Sequence, residues 1–272
     1  MICDVCPRHC NIGAGQTGAC RVRSQINGTI TCNNYGKLTS LALDPIEKKP
    51  LAQFHPGSMI LSVGSYGCNL HCPFCQNSEI AMADALSQTI YVSPEALVQR
   101  AEELVAYGNI GAAFTYNEPL IAYEYIRDCA KLLHERKLKT ILVTNGMICR
   151  QPLSDLLPYI DAMNIDLKGF TQRFYDMVSG DLETVKQTIM LAEKQCHVEV
   201  TVLIIPGEND SIDEMERLCS WLASINPQIP LHISRFFPRY KMQDKDPTPL
   251  TTIYSLCEIA QKHLRYVFAG NC

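Results

Sequence analysis

The sequence has no charged leader followed by an apolar stretch at its start, MICDVCPRHC, and nowhere an uninterrupted apolar run long enough for a membrane helix. We therefore expect a cytoplasmic protein with no membrane partner. Basic charge is also in short supply. Lys and Arg number 24 against 28 Asp and Glu, for a formal net charge of −4. No broad basic stripe is present, and the run EKK at 47–49 is too short to track a phosphate backbone, so no nucleic-acid partner is expected. Repeats of solenoid period and low-complexity tracts are missing too. With 47% apolar and 19% charged residues over 272 positions, the chain has the balance of one globular domain with a sizeable core.

Cysteine, by contrast, is abundant, with 14 in the chain. Without an export signal, tight cysteine clusters read as metal ligands more readily than as disulfides, and the thiols are expected to be reduced. The tightest cluster is GCNLHCPFCQN, residues 67–77, which holds Cys68, Cys72 and Cys75. Three thiolates from one loop cannot complete a four-coordinate zinc site, nor supply all the iron ligands of a cubane cluster. A cluster held this way keeps one iron open. The competing reading is a zinc completed by a distant residue, or simply buried cysteines. A second set, Cys3, Cys6, Cys10 and Cys20, is spaced C-x2-C-x3-C-x9-C. It suffices for a closed zinc site or an auxiliary iron-sulfur cluster, and a metal-free cysteine-rich loop is the third reading. The other cysteines share no spacing, and several, on apolar helix faces, are expected to act as small hydrophobes.

From residue 59 onward, short β-branched runs alternate with amphipathic stretches, the pattern of βα units around a parallel sheet. Strands are predicted at 59–67, 109–116, 140–146, 161–169, 197–207 and 230–238, with a short last one in RYVFAG. Helices are predicted at 93–108, 120–137, 182–195, 212–224 and 252–264. The fold class is thus α/β, a partial (β/α)6 TIM-like barrel over 59–272 with a small cysteine-rich N-terminal extension over 1–58. The turn-rich LALDPIEKKPLAQFHPG belongs to that extension. In such a barrel the functional residues lie where strands end and loops begin. The three-cysteine loop directly follows the first predicted strand.

CNLHCPFC has the C-x3-C-x2-C spacing of the radical S-adenosylmethionine (radical SAM) enzymes, with Phe74 at the aromatic position before the third cysteine. The resemblance implies a [4Fe-4S] cluster on Cys68, Cys72 and Cys75 whose unique iron takes the amino and carboxyl groups of SAM. It also implies reductive cleavage of SAM to a 5′-deoxyadenosyl radical and hydrogen-atom abstraction from a substrate. TYNEP at 115–119 stands where the family carries a GGE-like motif, which assigns Asn117 and Glu118 to the methionyl amino group. Glu118 would equally serve as an acid complementing the dipole of the helix that follows.

VTNG (143–146) and NIDLKG (164–169) resemble the TNG and DLK elements of glycyl-radical activating enzymes such as the pyruvate formate-lyase activating enzyme. By that resemblance Thr144 and Asn145 belong to the SAM pocket, and Asp166 and Lys168 contact the ribose and the carboxylate. For Lys168 the plainer reading is an exposed loop lysine. PLHISRFFP places His232 near the nucleoside, against the alternative of a hydrogen-bonded core histidine. The succession CPRHC, GACRVR, DPIEKKP, GCNLHCPFCQN, TYNEP, VTNG, NIDLKG, IIPGEND and HISRFFP resembles the radical SAM member of the AmmeMemoRadiSam system over nearly the whole chain. The implied partners are an electron donor such as flavodoxin or ferredoxin and, for an activating enzyme, a protein substrate. The rival readings are the same radical chemistry on a small molecule or another protein residue, and a non-catalytic iron-sulfur or zinc protein.

Overall fold

The computed structural model describes all 272 residues. In chain order its strands are β1 (Arg23–Ile26), β2 (Thr29–Cys32), β3 (Lys37–Leu38), β4 (Ser40–Pro45), β5 (Met59–Gly64), β6 (Ile90–Tyr91), β7 (Asn109–Thr115), β8 (Lys139–Thr144), β9 (Ala162–Asp166), β10 (His197–Ile204), β11 (Leu231–Arg235) and β12 (Val267–Gly270). The helices are α1 (Ser78–Ala81), α2 (Pro94–Glu103), α3 (Tyr123–Glu135), α4 (Arg150–Leu156), α5 (Gln172–Met177), α6 (Leu182–Ala192), α7 (Ile212–Ile225) and α8 (Leu250–Ala260). The main sheet has eight strands in the order β12-β11-β10-β9-β8-β7-β5-β4. From β5 to β12 the pairs are parallel, and β4 adds antiparallel to β5 at one edge. The sheet stays open between β12 and β4, as a partial (β/α) barrel does.

Alternation along the strands sorts residues onto two faces. Val63, Phe114, Leu142, Met163, Val200, Val202 and Ile233 belong to the large apolar core, which they share with helix residues such as Leu97, Leu133 and Leu218. The opposite face carries Ser62, Asn164, Asp166, Glu199, Thr201 and His232, a polar lining that a two-sided α/β sheet lacks. Side-chain caps fix the helix starts. Ser93, Thr171, Asp181 and Ser211 each accept an amide from the first turn of α2, α5, α6 and α7.

Three sequence expectations change. The turn-rich 41–57 segment is partly strand, because Leu41–Pro45 pair with Met59–Val63. It then returns under the polar face. Ile46 and Leu51 pack on Ile60, Ala113, Ile141 and Ala162. Asn164 Nδ2 donates to the Pro50 carbonyl at 2.8 Å. Residues 46–53 therefore stopper that side of the barrel. Helices α4 and α5, unpredicted, complete the units after β8 and β9. Several strands also stop two or three residues early, since SYG, NG and LKG peel away to form loops after β5, β8 and β9.

Candidate active site

Gly67 opens the cysteine loop with φ +86°, a conformation that glycine adopts without strain. A Cβ there would collide with Val22 and stand 2.7 Å from the Cys20 carbonyl, so the loop and the N-terminal extension touch through a missing side chain. Asn117 pins the loop's start. Its Oδ1 accepts from Ser65 N at 3.0 Å, and its Nδ2 donates to the carbonyls of Tyr66 and Gly67 at 3.1 and 3.2 Å. Asn69 pins the next turn, donating to Met147 O at 2.7 Å and accepting from Asn145 Nδ2 at 3.0 Å.

The three thiols are free, Cys72 buried and Cys68 and Cys75 partly so. Cys68 Sγ accepts from Leu70 N at 3.3 Å and faces Asn145 Nδ2 at 3.6 Å. Burial raises all three thiol pKa values, that of Cys72 to about 12. The opposing cation is Lys168, which favours the thiolates of Cys72 and Cys75. Burial works against the Lys168 charge, yet Asp166 and Cys72 together hold its pKa above that of an ordinary lysine. Its Nζ donates to Asp166 Oδ2 at 2.7 Å. Lys168 is half-buried beside the cysteines.

Glu118 ties two strand ends together. Oε1 accepts from Thr144 Oγ1 at 2.6 Å and Leu120 N at 2.9 Å, and Oε2 accepts from Asn145 N at 2.8 Å. Burial pushes its carboxyl up to about 7 against the pull of those donors. The bond to Leu120 is the helix-end contact anticipated from the sequence. Three donors leave room for one more on the carboxylate. Phe74 is buried, its ring 6.0 Å from that of Phe174.

His232 shares its face with Asp166, since Asp166 pairs with Thr201 and Thr201 with His232. Its Nε2 is engaged by Glu199 Oε2 at 2.6 Å and its ring stacks on Phe268. Sequence reading missed Glu199, which also accepts from Ala52 N, Gln53 N and the His197 ring. Missed too was the role of DPIEKKP. Asp44 Oδ2 accepts from Ser62, Tyr116 and buried Lys49 at 2.7, 2.8 and 3.0 Å, and Lys49 Nζ lies 4.9 Å from the Tyr116 ring centre. An Asp and a Lys five apart, among other lysines, carry no sign of which one is buried. Along the outer side of the cysteine loop runs an open cleft of about 700 Å³, bounded by Cys75–Ile80, Pro238–Tyr240 and Gln243.

The sequence pattern of the Radical SAM superfamily matches residues 62–222, which span the cysteine loop, Glu118, Asn145 and the Asp166–Lys168 pair. The chain belongs to the radical SAM superfamily. An uncharacterized protein of Methanocaldococcus jannaschii is 39% identical over 274 aligned positions, covering 99% of this chain and 80% of that one. The pyruvate formate-lyase 1-activating enzyme of Escherichia coli K12 is 25% identical over 162 positions, 56% of this chain and 63% of its own length. Among solved structures, a radical SAM methyltransferase from Sphaerobacter thermophilus superposes with TM-score 0.61 at 15% identity, over 79% of this chain and 67% of that one, and so shares the fold. Radical SAM enzymes use a [4Fe-4S] cluster and SAM. The donor set fits that group: Cys68, Cys72 and Cys75 are free thiols on one loop with the Lys168 charge beside them, one thiol for each of three irons and the fourth iron left open.

Proposed function

We propose that this protein makes a substrate radical at the strand ends in the manner of an activating enzyme, with a glycine of a partner protein as hydrogen donor. The observation that carries the reading is the meeting of three free thiols with the Asp166–Lys168 pair at one end of the sheet. When bound, the cluster and SAM supply reductive cleavage to a 5′-deoxyadenosyl radical that removes a hydrogen atom. The chain's own residues do the rest. Lys168, kept charged by Asp166, is a point charge for the SAM carboxylate, and the free Asp166 oxygen suits a ribose hydroxyl. Glu118 has one acceptor site left for the methionyl ammonium, a charge-assisted contact. Asn117, Thr144 and Asn145 hold Glu118 and the loop in register. His232, fixed by Glu199, is assigned the nucleoside's neighbourhood. Leu70, Phe74 and Leu167 are buried with Cys72, the most enclosed of the three thiols, while Cys75 borders the open cleft.

The cleft beside Cys75 favours a protein substrate. It is open, and Gln76, Asn77, Arg239, Tyr240 and Gln243 offer hydrogen bonds suited to a peptide backbone. The likeness to the pyruvate formate-lyase 1-activating enzyme supports the same choice. Flavodoxin or ferredoxin is the proposed electron donor.

The test is anaerobic reconstitution, dithionite reduction and assay of 5′-deoxyadenosine from SAM, with candidate partners carrying deuterated glycine. Deuterium from glycine in the product supports the proposal. Deuterium drawn instead from a small molecule overturns the activating role, and absence of any cleavage overturns the enzyme.

A further inference from the structure

The N-terminal cysteines stay outside the site described so far, yet the fold gathers them. Cys3, Cys6, Cys10 and Cys20 all line one small cavity, together with Arg8, Arg23, Ile12 and Ile121. Cys3, Cys6 and Cys20 are buried and all four are free. Backbone bonds from Cys3 N to Cys10 O at 3.0 Å and from His9 N to Cys6 O at 3.1 Å close the loop around them. Burial raises the thiol pKa values of Cys3 and Cys6, that of Cys6 to about 11, and hydrogen bonds from the Val5 amide to Cys3 and from the Arg8 amide and the Asn69 side chain to Cys6 offset part of it. Four thiols line this cavity beside Arg8 and Arg23, whose guanidinium groups are themselves held by the Asn69 and Ser179 carbonyls and by Glu124 and the Ile121 carbonyl, so the cysteines sit in a tied-down cradle. The four residues share this lining, yet no three of them are grouped closely enough to hold a single ion. A structural zinc draws its ligands onto one atom at about 2.3 Å. A cubane instead takes one cysteine sulfur at each of its four irons.

This cavity adjoins the cysteine loop. Asn69 lies between Cys68 and Cys72 in the chain, its carbonyl accepts from Arg8 Nε at 2.7 Å, and its side chain reaches Cys6. Its Oδ1 accepts from the same Asn145 amide that faces Cys68 Sγ. Gly67, next to Cys68, rests on the Cys20 carbonyl.

We propose that Cys3, Cys6, Cys10 and Cys20 hold a second [4Fe-4S] cluster, and that it relays an electron from a low-potential one-electron carrier to the cluster on Cys68, Cys72 and Cys75. The carrier is oxidised by one electron, the N-terminal cluster is reduced and then reoxidised, and the loop cluster ends reduced. No bond forms or breaks and no proton moves. The relay, though not the site, rests on the function proposed above.

Iron, sulfide and zinc are counted in the anaerobically reconstituted full chain and in two variants. The wild type should carry about eight irons, and both Cys68→Ala/Cys72→Ala/Cys75→Ala and Cys3→Ala/Cys6→Ala about four. The reduced triple variant should keep a paramagnetic signal that SAM leaves unchanged. One zinc per chain, or a triple variant without iron, overturns the site. The triple variant decides this alone, so a poorly folding N-terminal variant leaves the test intact, and absence of SAM cleavage would not bear on the count. For the relay, the ratio of flavodoxin-driven to dithionite-driven SAM cleavage should fall about tenfold or more in Cys3→Ala/Cys6→Ala, a barrier change of about 1.4 kcal/mol. An unchanged ratio overturns the relay.

Discussion

Glu199 is the residue whose replacement tests the stopper most directly. Glu199→Gln keeps the side chain's volume but removes its charge, at a fully buried position where the carboxylate accepts from Ala52 N, Gln53 N, His197 and His232. Burial alone would raise the carboxyl, yet the two histidines and the two amides outweigh it and bring the pKa from 4.5 down to about 2. Such a depression stabilises the fold by about 3 kcal/mol at neutral pH. A second route gives about 3–6 kcal/mol, meeting the first at its lower end. The amide keeps one acceptor oxygen, so about two hydrogen bonds to a charged group are lost, at roughly 1.5–3 kcal/mol each. Because the folded pKa is depressed, this stability is fully present above the unfolded value of 4.5 and is lost as pH falls through about 2. Urea unfolding of the reduced, metal-free chain, free of acid loss of a cluster, is the assay. At pH 7 the variant should be less stable by about 3 kcal/mol, or about 6–12 °C in melting temperature. The gap should narrow steadily below pH 4.5. A gap that stays constant across the acid range, or stays below about 1 kcal/mol at neutral pH, refutes the reasoning.

Three further outcomes follow from other contacts. Glu118→Gln should weaken SAM binding about tenfold in a titration of the reconstituted protein, and a change below about twofold would leave Glu118 as a strand tie and helix-end acid alone. Lys49→Met removes one partner of a buried ion pair and should lower stability by about 3–5 kcal/mol in chemical denaturation, with Asp44→Asn/Lys49→Met recovering part of the loss. Gly67→Ala, forced into left-handed backbone against the Cys20 carbonyl, should cost about 2 kcal/mol or more and shed iron from the reconstituted protein. Full iron retention at wild-type stability would show that the two cysteine loops do not need that contact.

The cysteine loop, the strand alternation and the strand-end placement of Glu118, Asn145 and Lys168 were legible because each rests on local spacing. Helix α4 was not. RQPLSDL is short, carries Pro152 within it, and shows too few apolar repeats for a helical period. Glu199 and Lys49 were invisible for another reason: a charge inside the barrel looks in sequence like a charge on its surface, and only a distant partner tells them apart. His232 illustrates the point, its histidine legible and its carboxylate 33 positions away not. The N-terminal cysteines sat between these cases. Their count was plain, but their convergence required the extension to fold back onto Gly67 and Asn69.

The stopper also sets an order of events during synthesis. Residues 50–53 leave the ribosome early, but their partners Asn164 and Glu199 follow more than a hundred residues later, Glu199 lying 147 positions beyond Ala52. Arg8 waits longer still, its partner Ser179 being 171 positions on. At ribosomal speeds of about 5–20 residues per second, the first cysteines therefore spend roughly 10–30 seconds as exposed thiols on an unfinished chain. The proposed N-terminal cluster would thus be completed late, with the barrel, and a chain arrested before β10 would present its cysteines to oxidation with nothing to cover them.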